Sequence, residues 1–170
     1  MIKRIVVLTA LAVALGGCIL QSRAPRYGDG EAVLALGASG GLARMSNLQD
    51  GNWVREDESV EIKVVGRHYE AATKSASVTL YFIPLGGSWF VLQGSDPANP
   101  AVYMLAEVKD NAATVQPLSC SDLKKDQELA TFIEHEGDDC FIKPGAAADD
   151  LFARLVQKPG EPVSRLELVQ

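Results

Sequence analysis

An apolar run near the N-terminus constrains the rest of this chain more than any other feature. Residues 5–15 are almost all apolar and directly follow the basic pair Lys3 and Arg4. The run is too short for a permanent membrane span, which needs about 20 apolar residues. A basic start, an apolar centre and small residues before a cleavage point make up a secretory signal peptide. The sequence therefore predicts that residues 1–17 are a cleaved signal and that the folded part is exported.

The signal ends in Leu15-Gly16-Gly17-Cys18. This motif resembles the lipobox of bacterial lipoproteins, in which the cysteine is acylated and becomes the first residue of the mature chain. The resemblance implies lipidation at Cys18, and two or more acyl chains give stable attachment. Because Ile19 is not the aspartate that retains Gram-negative lipoproteins at the inner membrane, it also implies anchoring at the outer membrane, facing the periplasm. An uncleaved anchor helix and an ordinary signal with a chance cysteine are the alternatives.

Length and charge limit the partners of the mature chain. Cleavage before Cys18 leaves 153 residues, enough for one domain with a substantial core. The mature chain has 14 basic against 22 acidic side chains, a formal net charge of −8. Such an acidic domain is poorly suited to nucleic acid. We therefore expect no nucleic-acid partner; the expected partners are the outer membrane, through the acyl chains, and an envelope protein.

Two cysteines remain in the mature domain, Cys120 and Cys140. An even pair in an oxidising compartment favours a disulfide. A metal pair and a redox pair are the alternatives, but the chain has neither a Cys-x-x-Cys motif nor a Cys/His cluster at zinc spacing. We therefore predict a structural disulfide, with no metal site and no cofactor.

The mature chain divides into two parts by composition. Residues 18–30 contain Pro25, Gly28 and Gly30, which discourage regular structure. They are predicted to form a lipidated tether with a reach of roughly 20 Å. Residues 31–170 are predicted to form a single globular domain. Alternating apolar and polar residues within it indicate an antiparallel meander over about 59–118, with its clearest hairpin at 77–93.

Two helices and a weak final strand are predicted after the meander. The first helix begins at Ser121 and ends before Gly137, the second covers residues 147–156, and the strand covers 163–169. The predicted fold class is therefore α+β, an antiparallel sheet of about five or six strands with two C-terminal helices packed on it. A closed or nearly closed barrel with a C-terminal helical extension is the alternative.

The first predicted helix and the predicted disulfide require different distances between Cys120 and Cys140. A 16-residue helix spans about 24 Å, whereas a disulfide needs its Cα atoms within about 7 Å. The disulfide is the firmer of the two predictions, because it follows from a cysteine pair in an oxidising compartment. The helix is therefore expected to be shorter than residues 121–136, or bent, or Cys120 is expected to lie beside it.

Two groups of residues have the composition of a chemical site. Gly37, Ser39 and Gly41 match the nucleophile elbow of serine hydrolases, with an apolar run before them and a plausible helix after them. No oxyanion motif is visible, however, and the downstream histidines are only His68 and His135. A flexible Gly/Ser connection is the preferred interpretation. The acidic run around His135, residues 134–139, is interpreted as a solvated helix end, and no catalytic residue is predicted.

These observations favour a non-enzymatic, lipid-anchored periplasmic lipoprotein that acts as an envelope binding or accessory domain. The alternative starts from Gly51-Asn52-Trp53, which is similar to the Gly-x-Trp at the start of lipocalin-like barrels, some of them bacterial lipoproteins. That resemblance implies a carrier of small apolar ligands. A large apolar cavity inside the sheet would favour the carrier, and a filled core would disfavour it.

Overall fold

The computed structural model describes residues 19–74 and 76–169. Cys18 and the predicted signal peptide lie outside the described residues. The strands are β1 (Leu20–Ser22), β2 (Gly41–Gln49), β3 (Asn52–Val65), β4 (His68–Ala72), β5 (Ser77–Gly86), β6 (Trp89–Asp96), β7 (Asn99–Lys109), β8 (Ala112–Pro117), β9 (Ile133–Glu136), β10 (Asp139–Ile142) and β11 (Ser164–Val169). The helices are α1 (Cys120–Lys125), a 3-10 turn (Leu129–Phe132) and α2 (Ala148–Leu155). No helix in these two ranges is long and apolar enough to cross a membrane.

Eight of the described strands form a closed antiparallel barrel. Strands β2 to β8 follow one another as a meander, and β6 also pairs with β7. Strand β11 returns after residues 118–163 and pairs with both β2 and β8, which closes the ring. The predicted α+β fold, an antiparallel sheet of about five or six strands with two helices packed on it, is therefore wrong, and the closed barrel named as its alternative is closer to the structure. Closure is the physical reason, since it pairs the edges that an open sheet would leave exposed.

Two strands of the barrel were not predicted. In β2, Ala43 and Met45 are buried while Leu42 and Arg44 are exposed, which is the period of a strand rather than of the helix expected there. Strand β4 returns beside β3 after a turn at Gly66, whose φ of +59° suits glycine. These two strands, together with β11, convert the predicted sheet into a ring.

Apolar side chains fill the interior of the barrel. Alternate residues of each strand point inward, as the two-residue period of a strand requires. Tyr69 and Phe82 are fully buried there, with ring centroids 5.8 Å apart. The interior core contains Ala43, Met45, Val60, Ile62, Tyr69, Ala71, Val78, Leu80, Phe82, Leu92, Met104, Ala106, Ala113, Val115, Leu166 and Leu168, together with Leu36 from outside the strands.

A second apolar core lies on the outer face of β6 and β7. Val91, Tyr103 and Leu105 point outward from these strands and are covered by α1, α2 and the β9–β10 hairpin. Phe152 of α2 packs on Tyr103, with ring centroids 5.6 Å apart. The second core explains why these strands are apolar on both faces. The prediction of a helix over residues 147–156 agrees with α2.

Residues 19–30 do not form the flexible tether that the sequence predicts. Strand β1 pairs antiparallel with β7 and parallel with β10, and Leu20 is fully buried. The backbone N–H groups of Arg26 and Tyr27 both donate to Oε1 of the buried Gln93, at 3.0 Å each. Apolar burial and these hydrogen bonds outweigh the local effect of proline and glycine, so the segment is part of the domain.

The next residues cover one end of the barrel. The Val33 N–H donates to the Phe82 carbonyl at 2.9 Å, which continues the sheet beyond β4. The Leu36 N–H donates to the Tyr69 hydroxyl, and that hydroxyl donates to the Gly37 carbonyl, both at 2.9 Å. Leu36 thereby packs into the interior core.

The long helix predicted over residues 121–136 is also wrong. Helix α1 ends at Lys125, and the Asp126 carboxylate accepts hydrogen bonds from the N–H groups of Glu128 and Leu129, which start the 3-10 turn. Strands β9 and β10 then form a hairpin. This short-helix arrangement brings the Cα atoms of Cys120 and Cys140 to 5.7 Å, within the reach of a disulfide.

Candidate functional site: a cleft outside the barrel

The barrel interior has almost no free space. Its cavity is about 40 Å³ and is lined by inward side chains such as Met45, Leu92 and Met104. Small-molecule pockets are usually about 300–1,000 Å³. A closed antiparallel barrel is an architecture on which carriers of small apolar ligands are built. In this barrel, however, its own side chains occupy the space that a carried ligand would need.

A larger cleft of about 260 Å³ lies on the outside, between the β7–β8 wall and the helical layer. We call it the outer cleft. Gln116 lies on β8 opposite Leu105 of β7, and its neighbour Val115 points into the barrel. Strand alternation therefore directs Gln116 outward, under the helices. The apolar lining of the cleft is formed by Leu105, Leu118, Leu123, Leu129 and Leu155.

The amide of Gln116 is the unusual group in this cleft. The residue is only 6% exposed, and its Oε1 has no hydrogen-bond partner among the described residues. Leaving a buried acceptor without a partner costs about 1–3 kcal/mol. Ser164 Oγ and Arg165 Nε also lack partners, but both residues line the small interior cavity. Of these three groups, only Gln116 lines a cleft large enough for a ligand group that donates a hydrogen bond.

Charges of both signs surround the cleft. Arg154 pairs with Glu128 at 2.5 Å, and Asp122 pairs with Lys125 at 3.3 Å. Lys158 also lines the cleft, and it has no ion pair within residues 19–74 and 76–169. A ligand that carries a positive and a negative group would therefore find an opposite charge for each on the rim.

Within residues 19–74 and 76–169, neither the backbone after Ser39 nor His68 matches a nucleophile elbow with its base. This exposed residue leads directly into β2, whereas a nucleophile elbow needs a helix after the serine. His68 is engaged elsewhere: its Nδ1 is 2.6 Å from Oδ1 of Asp29, and its ring packs 5.0 Å from that of Tyr81. The hydrogen bond to His68 lowers the pKa of Asp29. Ser39 has no hydrogen bond to any described residue.

The Ser39→Ala substitution is expected to change neither stability nor reactivity. Surface substitutions of this kind usually shift the free energy of unfolding by less than about 0.5 kcal/mol. A fluorophosphonate probe should label the wild type and the variant equally weakly. Labelling of the wild type that disappears in Ser39→Ala would identify a hydrolase and contradict this expectation.

The acidic run around His135 lies on the β9–β10 hairpin and not at a helix end. Glu134 and Glu136 both pair with Arg23 of the N-terminal segment, and His135 is exposed. The structure places no group of three or more potential metal ligands together within the part of the chain that it describes. The run therefore helps to hold residues 19–30 in place.

Sequence reasoning missed Gln116 because its environment is long-range. The residue follows Val115 near the end of the predicted meander, and nothing in its sequence neighbourhood indicates what covers it. Only the return of residues 118–160 over the outer face of β7 and β8 buries it. The chain matches no protein-family model, no curated protein and no solved structure.

Proposed function

We propose that the protein is a lipid-anchored, non-enzymatic envelope protein that binds a zwitterionic amphiphile in the outer cleft. The single observation that carries this proposal is the buried Oε1 of Gln116, which lines the cleft and has no hydrogen-bond partner among the residues that the structure describes. Natural proteins rarely keep such a group unless it has a role. Binding outside the barrel is preferred to carriage inside it because the interior cavity is only about 40 Å³.

The lining of the cleft defines the ligand chemistry. The five leucines suit a short apolar segment, and Oε1 of Gln116 suits an N–H donor. An ammonium group would satisfy both this oxygen and the carboxylates of Asp122 or Asp126. Lys158 suits a phosphate or a carboxylate. At about 260 Å³, the cleft lies just below the usual range of small-molecule pockets, about 300–1,000 Å³, so it fits a headgroup rather than a long acyl chain.

The lipobox-like sequence supports the location in this proposal. Acylation at Cys18 would place the cleft beside a membrane in which zwitterionic amphiphiles are concentrated. Attachment raises their effective concentration, so even a weak site would be occupied.

The proposal predicts opposite effects of Gln116→Leu on binding and on stability. The free energy of unfolding should stay equal or rise, because the substitution removes an unpaired buried polar group. Binding of dihexanoylphosphatidylethanolamine, followed by amide NMR below its micelle concentration, should weaken about 5- to 150-fold. Dihexanoylphosphatidylcholine, which has no N–H donor, should bind weakly to both proteins.

The second buried glutamine provides the matched control. Gln93 is fully buried, and its amide is fully hydrogen-bonded to the backbone of Arg26 and Tyr27 and to Ser95. Gln93→Leu should therefore destabilise the protein by about 1–3 kcal/mol or more. Equal destabilisation by Gln116→Leu, or equal binding of the two lipids by the wild type, would contradict the proposed site.

A further inference from the structure

The first described residues enter the folded domain without any linker. Ile19 is 7% exposed and forms a β-bridge with Ser119. Leu20 is fully buried, pairs with Cys140, and donates its N–H to the Leu118 carbonyl at 3.0 Å. The chain is therefore already held in the fold at Ile19 and Leu20, the first two described residues.

Contacts further along hold this entry point in place. Arg23 pairs with Glu134 and Glu136, and its guanidinium lies 5.0 Å from the centre of the Phe141 ring. The Arg26 guanidinium donates to the Ile142 and Lys143 carbonyls, at 3.3 and 2.6 Å. The segment would have to break several independent interactions before it could act as a tether.

We infer that the domain rests directly on the bilayer, with the side that carries Ile19 and Ser119 turned toward the lipid. This inference rests on the proposed acylation of Cys18. The predicted tether would have allowed a reach of roughly 20 Å. One residue spans only about 3.5 Å, so acyl chains on Cys18 leave the domain at its surface. The surface that this face contacts is the bilayer into which the acyl chains on Cys18 insert.

The same geometry brings the outer cleft to the membrane. Ser119 pairs with Ile19 and also lines the cleft, as do its neighbours Leu118 and Asp122. The zwitterionic ligand would thus be met as a lipid headgroup in the adjacent leaflet. The exposed acids Asp122, Asp138 and Asp139 lie near this entry point, so a zwitterionic surface suits the face better than an anionic one.

Single tryptophans test the orientation. The chain has two, Trp53 and Trp89, which are replaced by phenylalanine. Ser121→Trp then reports on the anchor side, because Ser121 Oγ lies 2.8 Å from Ser119 Oγ. Lys63→Trp reports on the opposite wall, since β3 lies four strands from β7 in either direction around the barrel. Full-length protein acylated in cells is reconstituted into vesicles containing brominated phosphatidylcholine.

The brominated lipid is expected to quench most of the fluorescence of the tryptophan at position 121 and very little of the fluorescence of the tryptophan at position 63. Ten Gly/Ser residues inserted between Cys18 and Ile19 restore a tether of roughly 18 Å, and quenching at 121 should then fall to the level at 63. Quenching that is equal at the two sites, or unchanged by the insertion, overturns the orientation while the anchor stands. Absence of fatty-acid label in the starting protein overturns the anchor and the orientation together.

A second set of vesicles separates the two sources of the ligand. Phosphatidylethanolamine in the vesicles should slow amide hydrogen exchange of the backbone around Gln116. The same concentration of free O-phosphoethanolamine should slow this exchange less. Equal protection by the free headgroup would mean that the ligand is taken from solution, which contradicts uptake from the leaflet.

Discussion

Loss of the Cys120–Cys140 bridge is expected to lower the free energy of unfolding by about 3 kcal/mol. The two cysteines are 20 residues apart and both are buried in the outer core, at 3% and 0% exposure. A bridge at this separation restricts the unfolded chain strongly. It also fixes the start of α1 to β10, which is the strand that pairs with β1. Urea unfolding of a Cys120→Ala, Cys140→Ala variant against the wild type measures the effect.

Two controls connect that loss of stability to the bridge itself. Reduction of the wild type should lower its stability to about that of the double variant and should leave the double variant unchanged. Thiol counting on the acylated, denatured and unreduced protein should find no free cysteine. Two free thiols would show that the pair is reduced in the native protein, and the predicted stability difference would then have no basis.

Cys18→Ser is expected to abolish membrane attachment completely. The thiol at residue 18 is the proposed attachment point for the acyl chains, and a single polar hydroxyl cannot replace two or more buried chains. Labelled palmitate should appear on the wild type and be absent from the variant. The Cys120→Ala, Cys140→Ala variant serves as the control and should keep its label. Equal labelling of wild type and Cys18→Ser would reject the lipoprotein hypothesis.

Local patterns predicted the hairpins well. The β-branched and aromatic residues of β5 and β6 flank a turn at Gly87-Ser88, and Asp110-Asn111 joins β7 to β8, so neighbouring residues fix both pairings. The apolar stripe of α2 and the alternation of Leu166 and Leu168 in β11 are equally local. These elements need no knowledge of distant partners.

Long-range pairing decided the features that were predicted wrongly. Strand β11 closes the barrel only because β2 and β8 are both free to receive it, and nothing within residues 163–169 indicates two partners. The spacing of Leu123, Leu129, Phe132 and Ile133 fits one helix, yet a helix, a 3-10 turn and a strand divide these residues among them. The outer cleft around Gln116 depends on the same packing between distant residues, so the sequence could not predict it either.

The position of β11 in the chain has a consequence for folding kinetics. Val169 pairs with Leu42, so the pairing that closes the ring joins residues separated by most of the domain. Contacts of such high sequence separation slow folding, and the free edges of β2 and β8 remain open until β11 arrives. A chain that crosses a membrane N-terminus first would expose these edges throughout its export. Refolding of the protein should therefore be slow, and the export proposed from the lipobox-like sequence would leave these edges open until β11 has been translocated.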